Sequence, residues 1–290
     1  MTDSDRFDSS ESHDLSESHD SPEPLGSSES SRSITHIEVP VETRAPGGTT
    51  NAYVAGGLLV DPAARTAALD AAVEDDIDAV AVTHTHPDHV GAVASYAEMT
   101  GAAVFAHAEH VDRFVDATGV QPDATFCDGD TLGDTGVHAI DTPGHASDHV
   151  AFAVADGPDS PRESLCGDLA IAEGSVVVGG PGGDLRAYLD SLERVRDAGY
   201  DRLYPGHGPP IDDPAATCQR LIDHRLERER AVLAAVEGGA GDLDSVLDGV
   251  YEKDLTGVED LARATVRAHL EKLAAEGKID GERVEGFTDV

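Results

Sequence analysis

The stretch AVAVTHTHPDH, residues 79–89, decides how the rest of the chain is read. Its first five residues are small or β-branched and uncharged, the pattern of a short buried strand over 79–83. That strand runs straight into His84, Thr85, His86, Pro87, Asp88 and His89, four potential metal ligands within six residues. A lone histidine is ordinarily a core or surface residue with its ring hydrogen-bonded. Four such groups side by side are costly to desolvate unless a cation organises them. On a turn, residues 84 and 86 project to one side while 88 and 89 reach a second point nearby. This spacing suits two metal ions rather than one.

Three further turns supply what this cluster lacks. Thr142-Pro143-Gly144-His145 ends a strand-like run over 137–141, Cys166-Gly167-Asp168 ends another over 164–166, and Tyr204-Pro205-Gly206-His207-Gly208 a third over 203–204. Glycine lets the backbone turn tightly and approach its neighbours closely. Each turn alone is a weak signal. In this order, at the carboxyl ends of strands where open sheets present ligand-binding loops, they form a specific combination.

The remaining pattern supplies a scaffold. Residues 51–61 read as a hairpin turning at Gly56-Gly57, residues 63–74, 90–99 and 185–197 as helices, and 103–105, 150–155 and 175–178 as further short strands. Strands mixed with helices at this spacing predict an α/β sandwich. After Gly208 the texture changes. A long polar helix spans 214–237, glycines at 238, 239 and 241 break it, and two helices (242–252 and 258–276) precede a strand-like tail over 278–288. That tail with its helices resembles a winged-helix module. The expected organisation is a Ser- and acid-rich tail (1–33), a catalytic domain (34–212), a linker helix (213–237) and a winged-helix-like domain (238–290). The tail repeats Ser-Glu-Ser-His-Asp at 10–14 and 16–20 and holds little that is apolar. It is expected to be disordered, with His13 and His19 solvated.

Composition sets the conditions. Asp and Glu number 57 against 20 Lys and Arg, a formal net charge of −37. Such a charge strains a compact fold through self-repulsion, unless molar salt shortens the Debye length to roughly 3 Å. The composition resembles the proteome of a salt-in halophile. In that setting low basicity does not exclude nucleic acid as a partner. Three scattered cysteines, Cys127, Cys166 and Cys218, read as thiols of a reducing compartment rather than a disulfide framework. With neither a signal-peptide pattern nor an apolar run of about 20 residues, the expectation is a cytoplasmic protein without a membrane partner.

From about residue 34 to 210 the chain resembles the metallo-β-lactamase superfamily, and the resemblance implies an αββα sandwich. It also implies that His84, His86 and His145 bind a first metal, that Asp88, His89 and His207 bind a second, and that Asp168 bridges both. Asp61 matches the superfamily's first motif as a supporting residue, although Asp-Pro-Ala stands here where Asp-Thr-Gly or Asp-Pro-Gly is usual. The donor set of nitrogen and carboxylate oxygen suits two zinc ions per chain and leaves iron or manganese open. The expected chemistry is attack by a metal-bridging hydroxide on a carbonyl carbon or a phosphorus, with Asp88 and Asp168 orienting the nucleophile.

The segments APGGTTNAYV (45–54), CGDLAIAEG (166–174), YPGHGPPI (204–211) and DHRLERE (223–229) extend the likeness to the β-lactamase-like protein 2 group over about 34–285. That group joins the metal fold to a C-terminal winged helix, and the resemblance implies an endoribonuclease acting on single-stranded RNA. Other readings stay open. A glyoxalase II-like thioester hydrolase shares all seven ligands, a lactone or other small-molecule hydrolase uses the same chemistry, and a persulfide dioxygenase would hold one iron by two histidines and a carboxylate. His149 and His224 are candidate supporting or substrate residues, His149 reading equally well as a strand-start histidine bonded to backbone. Arg263, Arg267 and Lys272 share a helix with Glu259, Asp260 and Glu271, so no basic face for nucleic acid stands out. The C-terminal region reads at least as well as a cover for substrate or a homodimer contact as it does as a nucleic-acid-binding module.

Overall fold

Short apolar runs with period two build two sheets, and alternate residues of the same strands build three layers of core. The computed structural model describes residues 33–287 except 46, 75–76, 155–156, 158–159, 252–254, 282–283 and 285–286. The expectation of a disordered tail therefore lies outside the described residues, Ser33 apart.

The first sheet contains β1 (Thr35–Pro40), β2 (Thr49–Ala55), β3 (Leu58–Val60), β4 (Ala79–Ala81), β5 (Ala103–His107) and β6 (Ala124–Phe126), in that spatial order. β1 to β3 pair antiparallel, and β3 to β6 pair parallel. The second sheet contains β7 (Val137–Asp141), β8 (Val150–Val154), β9 (Glu163–Gly167) and β10 (Arg202–Pro205), ordered β10-β9-β8-β7. Tyr53, Leu58, Val60, Ala79 and Ala81 face Val137, Phe152 and Leu165 between the sheets. The intervening residues Ala52, Leu59 and Val80 point the other way, onto Leu69 of α1 (Ala67–Ala72), Val93 and Tyr96 of α3 (Val93–Thr100) and Phe114 of α4 (Val111–Thr118). On the far side, Cys166 and Leu203 of the second sheet pack with Leu192 of α5 (Leu185–Asp197) and Leu221 of α6 (Pro214–Glu237). The result is the αββα sandwich.

Several expected elements differ. The helix anticipated over 90–99 is two pieces, α2 (Pro87–Val90) and α3, because the chain passes against another strand of backbone at Gly91. A Cβ there would lie 2.4 Å from the Ala63 carbonyl oxygen. Residues 175–178 form no strand. The carbonyls of Val176 and Val177 are taken by the side chains of Arg225 and His145, so they are not offered to a ladder. The strands β1 and β6 and the helix α4 were not anticipated.

The C-terminal region is helical as far as it is described. α6 serves two cores: Cys218 and Ile222 join the sandwich, while Val232 and Val236 pack with Leu243 and Val246 of α7 (Leu243–Val250) and with Val266 and Leu270 of α8 (Glu259–Ala275). Ala268 of α8 reaches back into the sandwich core. Between α6 and α8, Lys272 meets Glu229 at 2.6 Å and Glu276 at 2.7 Å, and Lys278 meets Glu229 at 3.1 Å. The strand expected over 278–288 is corrected: none of its described residues is in a strand, and Gly281 and Val284 are helical. Gly277, at φ +69°, turns the chain after α8, and Lys278 is held there by ion pairs to Glu229 and Glu276. No helix of the described residues is long and apolar enough to cross a membrane.

Candidate metal centre

β4 delivers the chain to His84, and Pro87 at the first position of α2 turns it so that His86 ends the extended segment while Asp88 and His89 start a helix. Four loops then converge on one point. The His84 Nε2 lies 2.9 Å from His86 Nδ1, and His145 Nε2 lies 3.0 Å from the same atom. Asp168 Oδ2 is 3.5 Å from both His145 Nε2 and His207 Nε2, and its Oδ1 is 3.8 Å from His89 Nε2. His207 Nε2 is 3.6 Å from Asp88 Oδ2. The donor atoms fall into three overlapping groups: His84, His86 and His145; His84, His89 and Asp168; and Asp88, His89 and His207.

The far nitrogens reveal what these groups face. His145 Nδ1 donates to the Val177 carbonyl at 2.8 Å, and His207 Nδ1 to the Thr49 carbonyl at 2.8 Å. Asp61 Oδ2 takes the His89 Nδ1 proton at 2.9 Å and the Thr83 hydroxyl proton at 2.7 Å. With its own proton committed, the Thr83 hydroxyl accepts from His84 Nδ1 at 3.1 Å. In its neutral form each of these four rings therefore turns an Nε2 lone pair inward. Those lone pairs face one another and the carboxylates of Asp88 and Asp168, and the buried His89 Nε2 has no hydrogen-bond partner. Acceptors facing acceptors fit a cation and little else.

The electrostatics agree. Burial and the neighbouring imidazoles hold His84 well below the ordinary histidine value and His86 at about 4. Burial also lowers His89, but Asp61, Asp168 and Asp88 outweigh it and raise the ring to about 9. Burial works against ionised Asp168, yet the His207 hydrogen bond and the charges of His89, His145 and His207 hold it far below the usual carboxylate range. The second half of the cluster thus draws positive charge.

Close approach requires the glycines. A Cβ on Gly206 would lie 2.5 Å from Asp168 Oδ1 and 2.8 Å from His89 Cε1. Gly144, at φ +133°, would set its Cβ 2.2 Å from the Tyr188 backbone nitrogen.

Of the other candidates, Asp61 lies directly behind the site with φ +52°, the one non-glycine residue at positive φ among the described residues. Its Oδ1 also accepts the Thr83 amide at 2.6 Å. His149 does not enter the donor groups. Its Nδ1 donates to the Thr142 carbonyl at 3.0 Å, and its Nε2 accepts the Asp168 amide at 3.0 Å. Burial and nearby His145 keep it neutral, at about 3. His224 is not brought to the centre: it lines a neighbouring cavity on α6. Several supports went unread in the sequence. Asp148 grips the Thr85 amide at 2.9 Å and its hydroxyl at 2.6 Å, with Arg113 on its other oxygen. The Thr43 hydroxyl holds Asp88 Oδ2 at 2.6 Å. Asn51 Nδ2 ties down the carbonyls of Pro205 and Gly208 at 2.9 and 2.8 Å, and so carries the His207 loop. Only the position of Asp148 beside His149 was a local signal.

The centre opens into a cavity of about 840 Å³. Pro87, Ala170, Ile171, Val176, Val177 and Leu261 give it an apolar wall, and Arg44 stands at its edge, paired with Asp260.

Comparison with known proteins gives this geometry a lineage. The metallo-beta-lactamase superfamily matches residues 45–207, more than half the chain. The beta-lactamase-like protein 2 homolog of Drosophila melanogaster is 31% identical over 217 residues, 70% of each chain. An atrochrysone carboxyl ACP thioesterase of Aspergillus chevalieri is 29% identical over 280 residues, 88% of this chain and 84% of the relative. The crystal structure of a metallo-beta-lactamase family protein from Thermus thermophilus superimposes with a TM-score of 0.65 at 27% identity, covering 84% of this chain and 94% of that one. The chain belongs to the metallo-beta-lactamase superfamily and is a metal-dependent hydrolase.

Proposed function

We propose that this chain is a dinuclear zinc hydrolase that cleaves an ester or thioester of a small molecule. The observation that carries the reading is the set of inward Nε2 lone pairs arranged around Asp168, one trio on each side. His84, His86 and His145 would hold one ion, Asp88, His89 and His207 the other, and Asp168 both. Bound there, two zinc ions supply an acidified water and polarisation of the substrate oxygen. Asp88, held through Oδ2 by Thr43, keeps its other oxygen to orient the water and accept its proton. His149 fixes Asp168 through the backbone amide. The apolar wall receives the acyl group and excludes bulk water.

The cavity wall favours an acyl substrate over a nucleic-acid strand. A strand needs a track of cations along its backbone, and Arg44, the one Lys or Arg lining this cavity among the described residues, is committed to Asp260. The Aspergillus relative's name, a thioesterase, points the same way. The presence of Asp88, His89 and His207 as a second trio favours two ions over the single iron of a dioxygenase.

The test is a substrate panel on protein purified in high salt, with metal content measured alongside. An acyl thioester, a lactone and single-stranded RNA are compared before and after chelation. Two zinc ions per chain and chelator-sensitive thioester hydrolysis are expected. Cleavage of RNA with the thioester untouched would replace this substrate, and one iron per chain would replace the mechanism.

A further inference from the structure

Beside the histidine-lined cavity, sharing Ser175, Val176, Val177 and Leu261 as a common wall, lies a second cavity of about 510 Å³. α6 supplies Arg220, His224, Arg225 and Arg228 to it, and Tyr251 closes one side. No described residue of its lining is acidic, in a chain with 57 Asp and Glu. Residues 220, 224 and 228 repeat every four positions, so they lie on one stripe of the helix.

This convergence is unusual because, among the described residues, the cations lack counter-ions. Arg225 is 3% exposed, its Nη2 donates to the Val176 carbonyl, and its Nε has no partner. Arg220 donates to the carbonyls of Ile171, Ala172 and Gly174. Arg228 lies over the Tyr251 ring at 4.0 Å and bonds the Val250 carbonyl through Nη1 at 3.2 Å. None of the three forms an ion pair with a described carboxylate. Burial lowers His224, and the charges of Arg225, Arg228 and Arg220 lower it further. A guanidinium keeps its charge, so a cluster like this calls for an anion. Planar forks presenting several donors match phosphate oxygens. A long polyanion would be repelled by a chain of net charge −37, whereas one or two phosphates fit within the cavity.

We propose that this cavity is an anion site that holds the phosphate-bearing end of the substrate whose acyl group enters the histidine-lined cavity. The link to an acyl substrate rests on the function proposed above; the anion site itself does not.

The test begins with the metal-loaded protein at constant salt, titrated calorimetrically with inorganic phosphate, pantetheine, pantetheine 4′-phosphate and a single-stranded oligonucleotide. Pantetheine 4′-phosphate should bind more tightly than pantetheine. Arg228→Gln should weaken phosphate and pantetheine 4′-phosphate about tenfold, and Arg228→Lys, which keeps charge but loses the fork, by less. Arg230→Gln removes the same charge from an exposed position on another helix face and should change neither. Matching melting curves establish that the variants fold. Equal phosphate binding by wild type and both Arg228 variants overturns the site. Loss of oligonucleotide binding in Arg228→Gln, with pantetheine 4′-phosphate unaffected, overturns the small-molecule assignment in favour of a strand. A phosphate effect without any thioester hydrolysis refutes the acyl reading and leaves the anion site standing. Hydrolysis without phosphate binding does the reverse.

Discussion

The histidine-lined cavity and the α6 cavity share a wall and are opposites in charge. In the first, imidazole nitrogens and carboxylates face one another, and the buried His89 Nε2 has no hydrogen-bond partner. In the second, guanidinium groups gather with no described acid in the lining. Residues 175–177 line both and are tied to both: Val177 orients His145, and Val176 receives Arg225. The two pockets therefore ask for ligands of opposite sign. What distinguishes them is whether the inward atoms donate or accept, rather than the number of charged residues around them.

The comparison can be broken most severely at Asp168. Asp168→Ala should abolish turnover and reduce the metal content per chain, while circular dichroism stays native. Full activity with full metal content would remove this carboxylate from the centre. The next effect tests whether the α6–α8 region depends on compensated charge. Glu229 and Lys272 are 6% and 8% exposed. Glu229→Ala leaves Lys272 with Glu276 alone and should cost about 3 kcal/mol in denaturant unfolding. The double replacement Glu229→Leu/Lys272→Met should recover most of that, and a double variant as unstable as the single one would argue against a charge effect.

Asp61→Asn probes the support behind His89. Asparagine tolerates a positive φ but no longer offers two carboxylate oxygens to Thr83 and His89. Zinc affinity, measured by competition with a chelating dye, should fall about 10–100-fold. Unchanged affinity would make the Asp61 contact dispensable. The mildest expected effect concerns the whole surface. At a net charge of −37, the melting temperature should rise with potassium chloride into the molar range. A melting temperature indifferent to salt would mean that self-repulsion is not a governing term.

How much of this was legible depended on distance along the chain. His84, His86, Asp88 and His89 could be read together because a strand end and Pro87 set their geometry locally. The glycines before His145, Asp168 and His207 were visible, but not what required two of them: Tyr188 passes against Gly144, and Asp168 itself against Gly206. Thr43, Asn51 and Asp148 act across wide sequence separations on residues of other loops, so no local spacing signals them. The run over 175–178 looks like a strand by its β-branched residues, and in isolation it would favour one. Its carbonyls are instead claimed by Arg225 and His145, a competition that propensity does not contain.

By itself, then, the amino-acid sequence indicated an α/β sandwich, through short apolar strands mixed with helices, and the side chains that are candidates to hold a metal. Tertiary structure alone decided that His149 supports Asp168 from behind rather than facing the cavity, that His224 belongs to a different cavity, and that α6 joins two cores. The reason is that a hydrogen bond or a shared wall is a property of positions in space. Residues such as Arg225 and Val176, 49 apart in the chain, acquire a common role only when packing brings them together.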